Sequence, residues 1–208
     1  TIEENNQAAV LRHSRIHTAK DITIGNSNFI SLSTGLPLDN YVSDKKLGEG
    51  SYGQVFRVKH KDIGIYRAMK KISAGNNKDE EKMKEITNEI ELMKTMDHPN
   101  IAKIFEFYST KKGFFLITEY CSGGELFDKI LKVKKFDEAQ TAYIMYQVLS
   151  AVFYCHNINI IHRDLKPENI LIESEEKDNF MNVKVIDFGT AKIFDKNKSE
   201  NKVIGSAY

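Results

Sequence analysis

A chain of 208 residues is long enough for one large domain or two small ones, and 41% hydrophobic against 28% charged residues excludes a disordered tail, a collagen and a disulfide-stapled miniprotein. With 30 Lys+Arg against 29 Asp+Glu the formal charge is +1, so no global basic field points to nucleic acid. Two cysteines, Cys121 and Cys155, cannot build a disulfide framework or a four-cysteine zinc site, and the short apolar runs span no membrane, so the expectation is a soluble, cytoplasmic protein with reduced thiols.

Residues 1–40 are rich in Asn, Ser and Thr and carry no apolar signal core. Asn26-Ser27-Asn28 and Ser33-Thr34-Gly35-Leu36-Pro37 hold turn chemistry, so this stretch reads as an N-terminal extension that packs on the domain at most. From Tyr41 to Ile72 the pattern is strand-like: Val55, Arg57 and Lys59 alternate with Phe56, Val58 and His60, and Ile65 to Met69 follows a turn at Gly64. Lys78 to Met96 predicts an amphipathic helix, with Ile86, Ile90 and Met93 at helical spacing after a solvated charged start, Asp79 to Lys82. His98-Pro99-Asn100 ends it, because the residue before proline avoids the helical region. Strands are expected at Ile101 to Phe107 and Gly113 to Tyr120, until Gly123-Gly124 breaks the pattern.

Beyond that point the pattern turns helical. Glu125 to Val133 and Glu138 to Asn157 read as helices. The second is apolar on most faces, which predicts burial, with Leu149, Val152, Phe153 and His156 in the core. Short strands at Ile170 to Ile172 and Val183 to Ile186 flank a charged loop, Glu173 to Asn182. A strand-rich part, residues 41–120, therefore precedes a helix-rich part, residues 121–208.

Gly48-Glu49-Gly50-Ser51-Tyr52-Gly53 fits G-x-G-x-x-G. In a dinucleotide-binding fold the third glycine opens a helix, whereas Gln54 to Val58 continues as an alternating strand. The glycines thus cap a hairpin, and the dehydrogenase reading falls. Alone the hairpin is only a turn, but Ala68-Met69-Lys70 follows on the next strand but one, where Lys70 could reach phosphates lying against the glycines. Glu89 shares the helix face of Ile86, Ile90 and Met93; a carboxylate on an apolar stripe is costly without a cation, and Lys70 is the natural partner. His162-Arg163-Asp164-Leu165-Lys166-Pro167-Glu168-Asn169 packs a carboxylate, a lysine and an amide into one loop, and Val185-Ile186-Asp187-Phe188-Gly189 places a second carboxylate at a strand end. Asp187 and Asn169 offer the oxygens that a hard cation such as Mg²⁺ takes. Together the pieces outline a site for phosphoryl transfer, where positioning and electrostatics carry the catalysis.

In order and separation these strings resemble the signature set of eukaryotic Ser/Thr protein kinases. The sequence is similar to the calmodulin-kinase group, and most of all to calcium-dependent protein kinases of plants and protists. Asp97-His98-Pro99-Asn100-Ile101, Glu119 to Phe127, the loop Glu173 to Asn182 and the lead-in Phe29 to Tyr41 support the likeness, which covers residues 29–208. It implies an α+β, two-lobed fold: an antiparallel-sheet small lobe with one main helix, residues 41–120, and a mainly helical large lobe, incomplete here, residues 121–208. It implies transfer of the ATP γ-phosphoryl group to protein Ser or Thr, with Mg²⁺ as cofactor.

The resemblance also assigns roles. Leu47, Gly48, Glu49, Gly50, Ser51, Tyr52, Gly53, Gln54 and Val55 would cover ATP, with Val55, Ala68 and Leu171 sandwiching adenine. Glu119 and Cys121 would present backbone groups to the base, with Thr118 behind them. Lys70, paired to Glu89, would hold the α- and β-phosphates. Asp164 would accept the substrate hydroxyl proton, Lys166 would steady the γ-phosphate, and Asn169 and Asp187 would bind Mg²⁺. Lysine at position 166 is the Ser/Thr form of this loop. Glu125 and Glu168 would line the nucleotide site and meet basic residues upstream of the phosphoacceptor, unless Glu125 caps its helix or binds ribose and Glu168 pairs internally.

Departures from the pattern matter equally. The match runs to Gly205-Ser206-Ala207-Tyr208, before the family's Ala-Pro-Glu string, so the chain is expected to be part of a longer kinase, and inactive and poorly soluble by itself. No D-x-[DN]-x-[DN]-G calcium loop occurs, which assigns any calcium control to a sensing region outside this chain. Lys202 occupies the position where many such kinases carry a phosphothreonine to meet Arg163; Thr190 and Ser199 are poorly placed, and Glu200 could supply a permanent charge. Activation-segment phosphorylation is therefore not expected to be required. Two rivals stay open: a pseudokinase scaffold, and a nucleotide-binding module whose output is conformational. Mg²⁺-dependent turnover separates both from a working enzyme.

Overall fold

The computed structural model describes residues 31–33, 35–50, 53–73, 90, 92–110, 113–174 and 180–194. Its first part is a six-stranded sheet in the order β1-β5-β6-β4-β3-β2, with β1 Ser31–Ser33, β2 Tyr41–Gly50, β3 Gly53–His60, β4 Tyr66–Ser73, β5 Ile104–Thr110 and β6 Gly113–Glu119. Every pairing is antiparallel except β1 with β5, so part of the stretch read as an extension lays a parallel strand along the sheet edge. A short helix, α1 (Pro37–Asn40), connects it to β2. Lys61 Nζ donates to the carbonyls of Leu38 and Asp39 and fixes α1 on the turn after β3.

Strand alternation sorts the side chains. Phe56, Met69 and Ile117 are register partners across β3, β4 and β6, and they pack with Tyr41, Val58 and Tyr108 on one face. The other face carries the rows Val55, Lys70, Leu116 and Arg57, Ala68, Thr118. The strand expected from Ile101 begins instead at Ile104. Residues 100–102 are held by the other half of the molecule: Val185 N–H donates to the Asn100 carbonyl and Ala102 N–H to the Val185 carbonyl, so their backbone groups are committed before the sheet starts. Of the helix expected over Lys78 to Met96, residues 90 and 92–95 are described and helical; residues 78–89 and 91 lie outside the described residues.

The second part contains α2 (Leu126–Val133), α3 (Glu138–Asn157), β7 (Ile160–Ile161), β8 (Ile170–Ile172), β9 (Val183–Val185) and β10 (Lys192–Ile193), with β8 paired to β9 and β10 to β7. A capping box starts α3: Gln140 N–H donates to Asp137 Oδ1 at 2.7 Å, and Asp137 N–H to Gln140 Oε1 at 3.1 Å. One stripe of α3 is buried, comprising Ile144, Gln147, Val148, Ala151 and Cys155. The expectation that Leu149, Phe153 and His156 are core residues is wrong. Leu149 is 58% and Phe153 68% exposed, and His156 is also exposed; Val152 alone packs partly against the core. A helix apolar all round still turns only one stripe onto the β8–β9 hairpin, and positions 145, 149 and 153 project away from that stripe.

A single core joins the two parts. Ile72, Met93, Ile104 and Phe107 from the sheet side meet Ala151, Cys155, Val185 and Phe188 from the helical side. Buried polar bonds tie them too. Gln147 Oε1 accepts from Asn100 Nδ2 and Val183 N–H, while its Nε2 donates to the Met181 carbonyl. A buried amide with both ends satisfied fixes β9 against α3, and with it the segment leading to Asp187. This two-part α+β arrangement is the two-lobed architecture expected. Among the described residues no helix is long and apolar enough to cross a membrane.

Candidate active site

Between the two parts lies a cleft of about 580 Å³. Its roof is the sheet face built from the β2–β3 hairpin and β4; its floor is β8 and the residues around Asp187. The sheet register explains the roof. Val55 lies opposite Lys70, and Ala68 opposite Thr118, so residues far apart in sequence share one surface. Lining the cleft are Leu47, Gly48, Glu49, Gly53, Val55, Ala68, Lys70, Thr118, Glu119, Cys121, Glu125, Glu168, Asn169, Leu171 and Asp187, all candidates read from sequence. Gln54 is not part of the lining, and its side-chain amide donates to Glu49 Oε1 at 3.4 Å. The backbone of Gly50 pairs with Gly53 at the hairpin end. Ser51, Tyr52 and Glu89 lie outside the described residues.

Gly53 has φ +134°, and a Cβ there would sit 2.0 Å from the Lys71 carbonyl oxygen, so the hairpin requires a residue without one. Lys70 Nζ, carried by the neighbouring strand, lies 3.3 Å from Asp187 Oδ1. The ion pair joins roof to floor across the cleft.

Beside the floor, one loop makes a compact cluster in which Asn169 lines the cleft while Asp164 and Lys166 lie outside its lining. Asn169 Nδ2 donates to the Asp164 carbonyl at 2.8 Å and to Asp164 Oδ2 at 3.0 Å, and Lys166 Nζ lies 2.9 Å from the same Oδ2. The short 3₁₀ turn Pro167–Asn169 holds the amide beneath the carboxylate, and Ile186 N–H donates to the Asn169 carbonyl. Burial pushes the His162 imidazole below the usual histidine range, so the ring is neutral at pH 7. It accepts from Asp164 N–H at Nδ1 and bonds the Ile186 carbonyl through Nε2, which fixes the Nε2–H tautomer. Its ring packs on Phe188 with centroids 4.6 Å apart. Arg163 and Asp187, flanking this cluster, both have positive φ, +67° and +61°. Arg163 Nε donates to the Thr190 carbonyl at 2.6 Å; Ser199, Glu200 and Lys202 lie outside the described residues.

At the cleft mouth Glu125 is the N-cap residue of α2 but makes no side-chain cap bond, so the capping alternative fails. Burial first, then the neighbouring Asp128 and Glu168 carboxylates, raise its pKa above the ordinary glutamate range. Burial, with Glu119 adding to it, pushes the Cys121 thiol up to about 12, so it is a neutral thiol. Sequence reasoning missed Lys45, Met93, Ala102, Leu116, Asp128 and Ile186 in the lining. Two of these had a signal: Leu116 lies two positions before Thr118 on an alternating strand, and Asp128 follows Glu125 by three on a helix.

For a hard divalent cation the fit is chemical. Asn169 spends its Nδ2 on Asp164 and keeps an amide oxygen, and with the Asp187 carboxylate this gives oxygen donors of the kind Mg²⁺ takes.

Residues 41–208 match the profile of the protein kinase domain family. The chain is 38% identical to calcium-dependent protein kinase 4 of Plasmodium berghei (strain Anka) over 206 residues, 95% of this chain and 39% of that protein. It is 43% identical to calcium-dependent protein kinase 5 of Plasmodium falciparum (isolate 3D7) over 177 residues, 85% of this chain and 30% of that protein. The chain thus spans two fifths or less of the length of these relatives.

Proposed function

The chain belongs to the protein kinase family, and from that premise we propose that it transfers the γ-phosphoryl group of ATP to Ser or Thr hydroxyls of proteins, with a small lobe from about Tyr41 to Tyr120 and the large lobe after it. The observation that carries the reading is the bonded cluster of Asp164, Lys166 and Asn169 beside a cleft bridged by Lys70 and Asp187. In this reading Val55, Ala68 and Leu171 hold adenine, and the backbone at Glu119 and Cys121 reads its edge. Lys70, with Glu89 as its second partner, orients the α- and β-phosphates. The substrate oxygen forms its bond to the γ-phosphorus as the bond to the β–γ bridging oxygen breaks; Asp164 takes the hydroxyl proton and ADP leaves. Lys166, already close to Asp164, meets the charge on the moving phosphoryl group. When bound at Asn169 and Asp187, Mg²⁺ supplies charge neutralisation to the phosphates.

Two finer points belong to the same proposal. Glu125 and Glu168 favour substrates with a basic residue before the phosphoacceptor, since a pair of carboxylates at the cleft mouth can take a guanidinium in bidentate fashion. Regulation by calcium follows from relatives whose names carry it, through a sensing region outside this chain, and a cytoplasmic location fits two free buried thiols.

The test is Asp164→Asn in the full-length protein, with nucleotide titration beside a peptide assay. Transfer should vanish while nucleotide binding survives. Equal loss of both, or full activity in the variant, overturns the assignment.

A further inference from the structure

Behind the cleft, on the side away from the glycine hairpin, β9 carries a lysine whose bonds the chemistry above does not use. Lys184 is only 9% exposed. Its Nζ lies 3.0 Å from Glu119 Oε1, 3.4 Å from Glu173 Oε1 and 3.0 Å from the Pro99 carbonyl oxygen. These partners come from three separate places. Glu119 ends β6 at the connection between the parts, Glu173 follows β8 in the helical part, and Pro99 precedes β5. Glu119 is also secured by its backbone, its N–H donating to the Lys103 carbonyl at 2.9 Å.

We propose that Lys184 is a positioning residue for nucleotide binding: its ammonium clamps the Glu119 side chain to the helical part and thereby sets the backbone of the connecting segment that faces adenine. Three observations carry the inference. Glu119 lines the front cleft and also a second, smaller pocket of about 180 Å³ behind it, which Lys184, Lys103 and Phe105 share, so one residue spans the wall between them. Next, two carboxylates converge on one buried cation; burial opposes its charge, yet Glu119 and Glu173 override that and hold the ammonium above the usual lysine range. Removing the cation would leave the half-buried Glu119 carboxylate beside the more exposed Glu173 without a counter-charge, a repulsion that movement of the connecting segment relieves. Finally, Lys184 stands three residues before Asp187 on the same stretch, so one strand anchors the adenine end of the cleft and presents the carboxylate at its phosphate end.

The inference rests on the nucleotide reading above, so its test has a readout that does not. In the full-length protein, Lys184→Met keeps the length of the side chain and removes its charge. Amide hydrogen exchange over residues 119–123 should speed up about tenfold, and ADP should bind at least about threefold more weakly, with kcat at saturating ATP within about twofold. Lys184→Arg should restore both values to within about twofold, because the adjoining pocket leaves room for the larger head group and the charge is kept. If Lys184→Met does not fold, Glu173→Gln decides, expected to raise the same exchange with an unchanged melting profile. Unchanged exchange in the folded variant sinks the clamp, as does a kcat loss without an affinity loss. A wild type that binds ADP but phosphorylates nothing removes the kinase reading and leaves the clamp to be judged on exchange and affinity. If it binds no ADP, exchange alone decides.

Discussion

A single amide nitrogen of Asn169 reaches two oxygens of Asp164, the backbone carbonyl at 2.8 Å and Oδ2 at 3.0 Å. The residue expected to take the substrate proton is thus held at both its main chain and its side chain by a residue expected to hold the metal. Asn169→Ala releases both contacts. We expect kcat to fall about 10²-fold or more, while nucleotide affinity measured without divalent cation stays within a few-fold. Steady-state assays beside calorimetric titration check this; an unchanged kcat would show that the carboxylate needs no such orientation.

Two glycines of the same hairpin should respond unequally to alanine. At Gly53 a Cβ meets the Lys71 carbonyl oxygen at 2.0 Å and φ is +134°, whereas at Gly48 a Cβ meets nothing within 4 Å. Gly53→Ala should cost about 2 kcal/mol or more in a denaturant melt, and Gly48→Ala a small fraction of that. Equal melting of the two variants contradicts the hairpin geometry.

Charge at the cleft mouth sets a pH signature. Glu125 has a raised pKa because of burial, Asp128 and Glu168. As pH falls, it therefore protonates before an ordinary glutamate, and its attraction for arginine is lost first. The preference for substrates with an upstream arginine should weaken at a higher pH than model carboxylates titrate, and Glu125→Gln should abolish that pH dependence. A peptide-array profile without arginine enrichment, at any pH, removes the claim.

The outward face of α3 should make the 208-residue chain sticky when expressed alone. Tyr146 is 73% exposed, and Leu149 and Phe153 stand beside it on the same side of the helix. Self-association in sedimentation velocity, reduced by Leu149→Lys with Phe153→Lys, is the expected result; a monodisperse wild type contradicts it.

Arg163 already has an internal partner, since its Nε donates to the Thr190 carbonyl at 2.6 Å. Activity of the full-length enzyme should accordingly survive phosphatase treatment and Ser199→Ala, and should change with calcium. Loss of activity in either case, with no calcium response, ends this account of regulation.

What the sequence disclosed depended on periodicity. The hairpin at Gly48 to Gly53 was legible because Gln54 to Val58 alternates, and the helix read over Glu138 to Asn157 coincides with α3. Loop clusters such as Asp164 to Asn169 were legible from the residue types alone, packed too densely for a structural loop. Burial on α3 was not, because Phe153 and Ala151 sit on one apolar helix and only the neighbouring hairpin decides which of them is covered. Ala102 and Met93 were equally silent: nothing in a small or flexible apolar residue announces that it borders a cleft. Lys184 looked like an ordinary strand lysine, since its partners Glu119, Glu173 and Pro99 are scattered along the chain and only the fold assembles them.

The left-handed backbone at Arg163 and Asp187 has a consequence for anyone engineering this chain. At φ values of +67° and +61° a glycine is more comfortable than any residue with a Cβ, by about 1 kcal/mol. A screen scored on thermal tolerance would therefore favour glycine at both positions and discard the Asp187 carboxylate that lines the cleft and the Arg163 guanidinium that bonds the Thr190 carbonyl. At these two positions selection for heat resistance and selection for turnover pull in opposite directions, so a library that includes them has to be sorted on activity first.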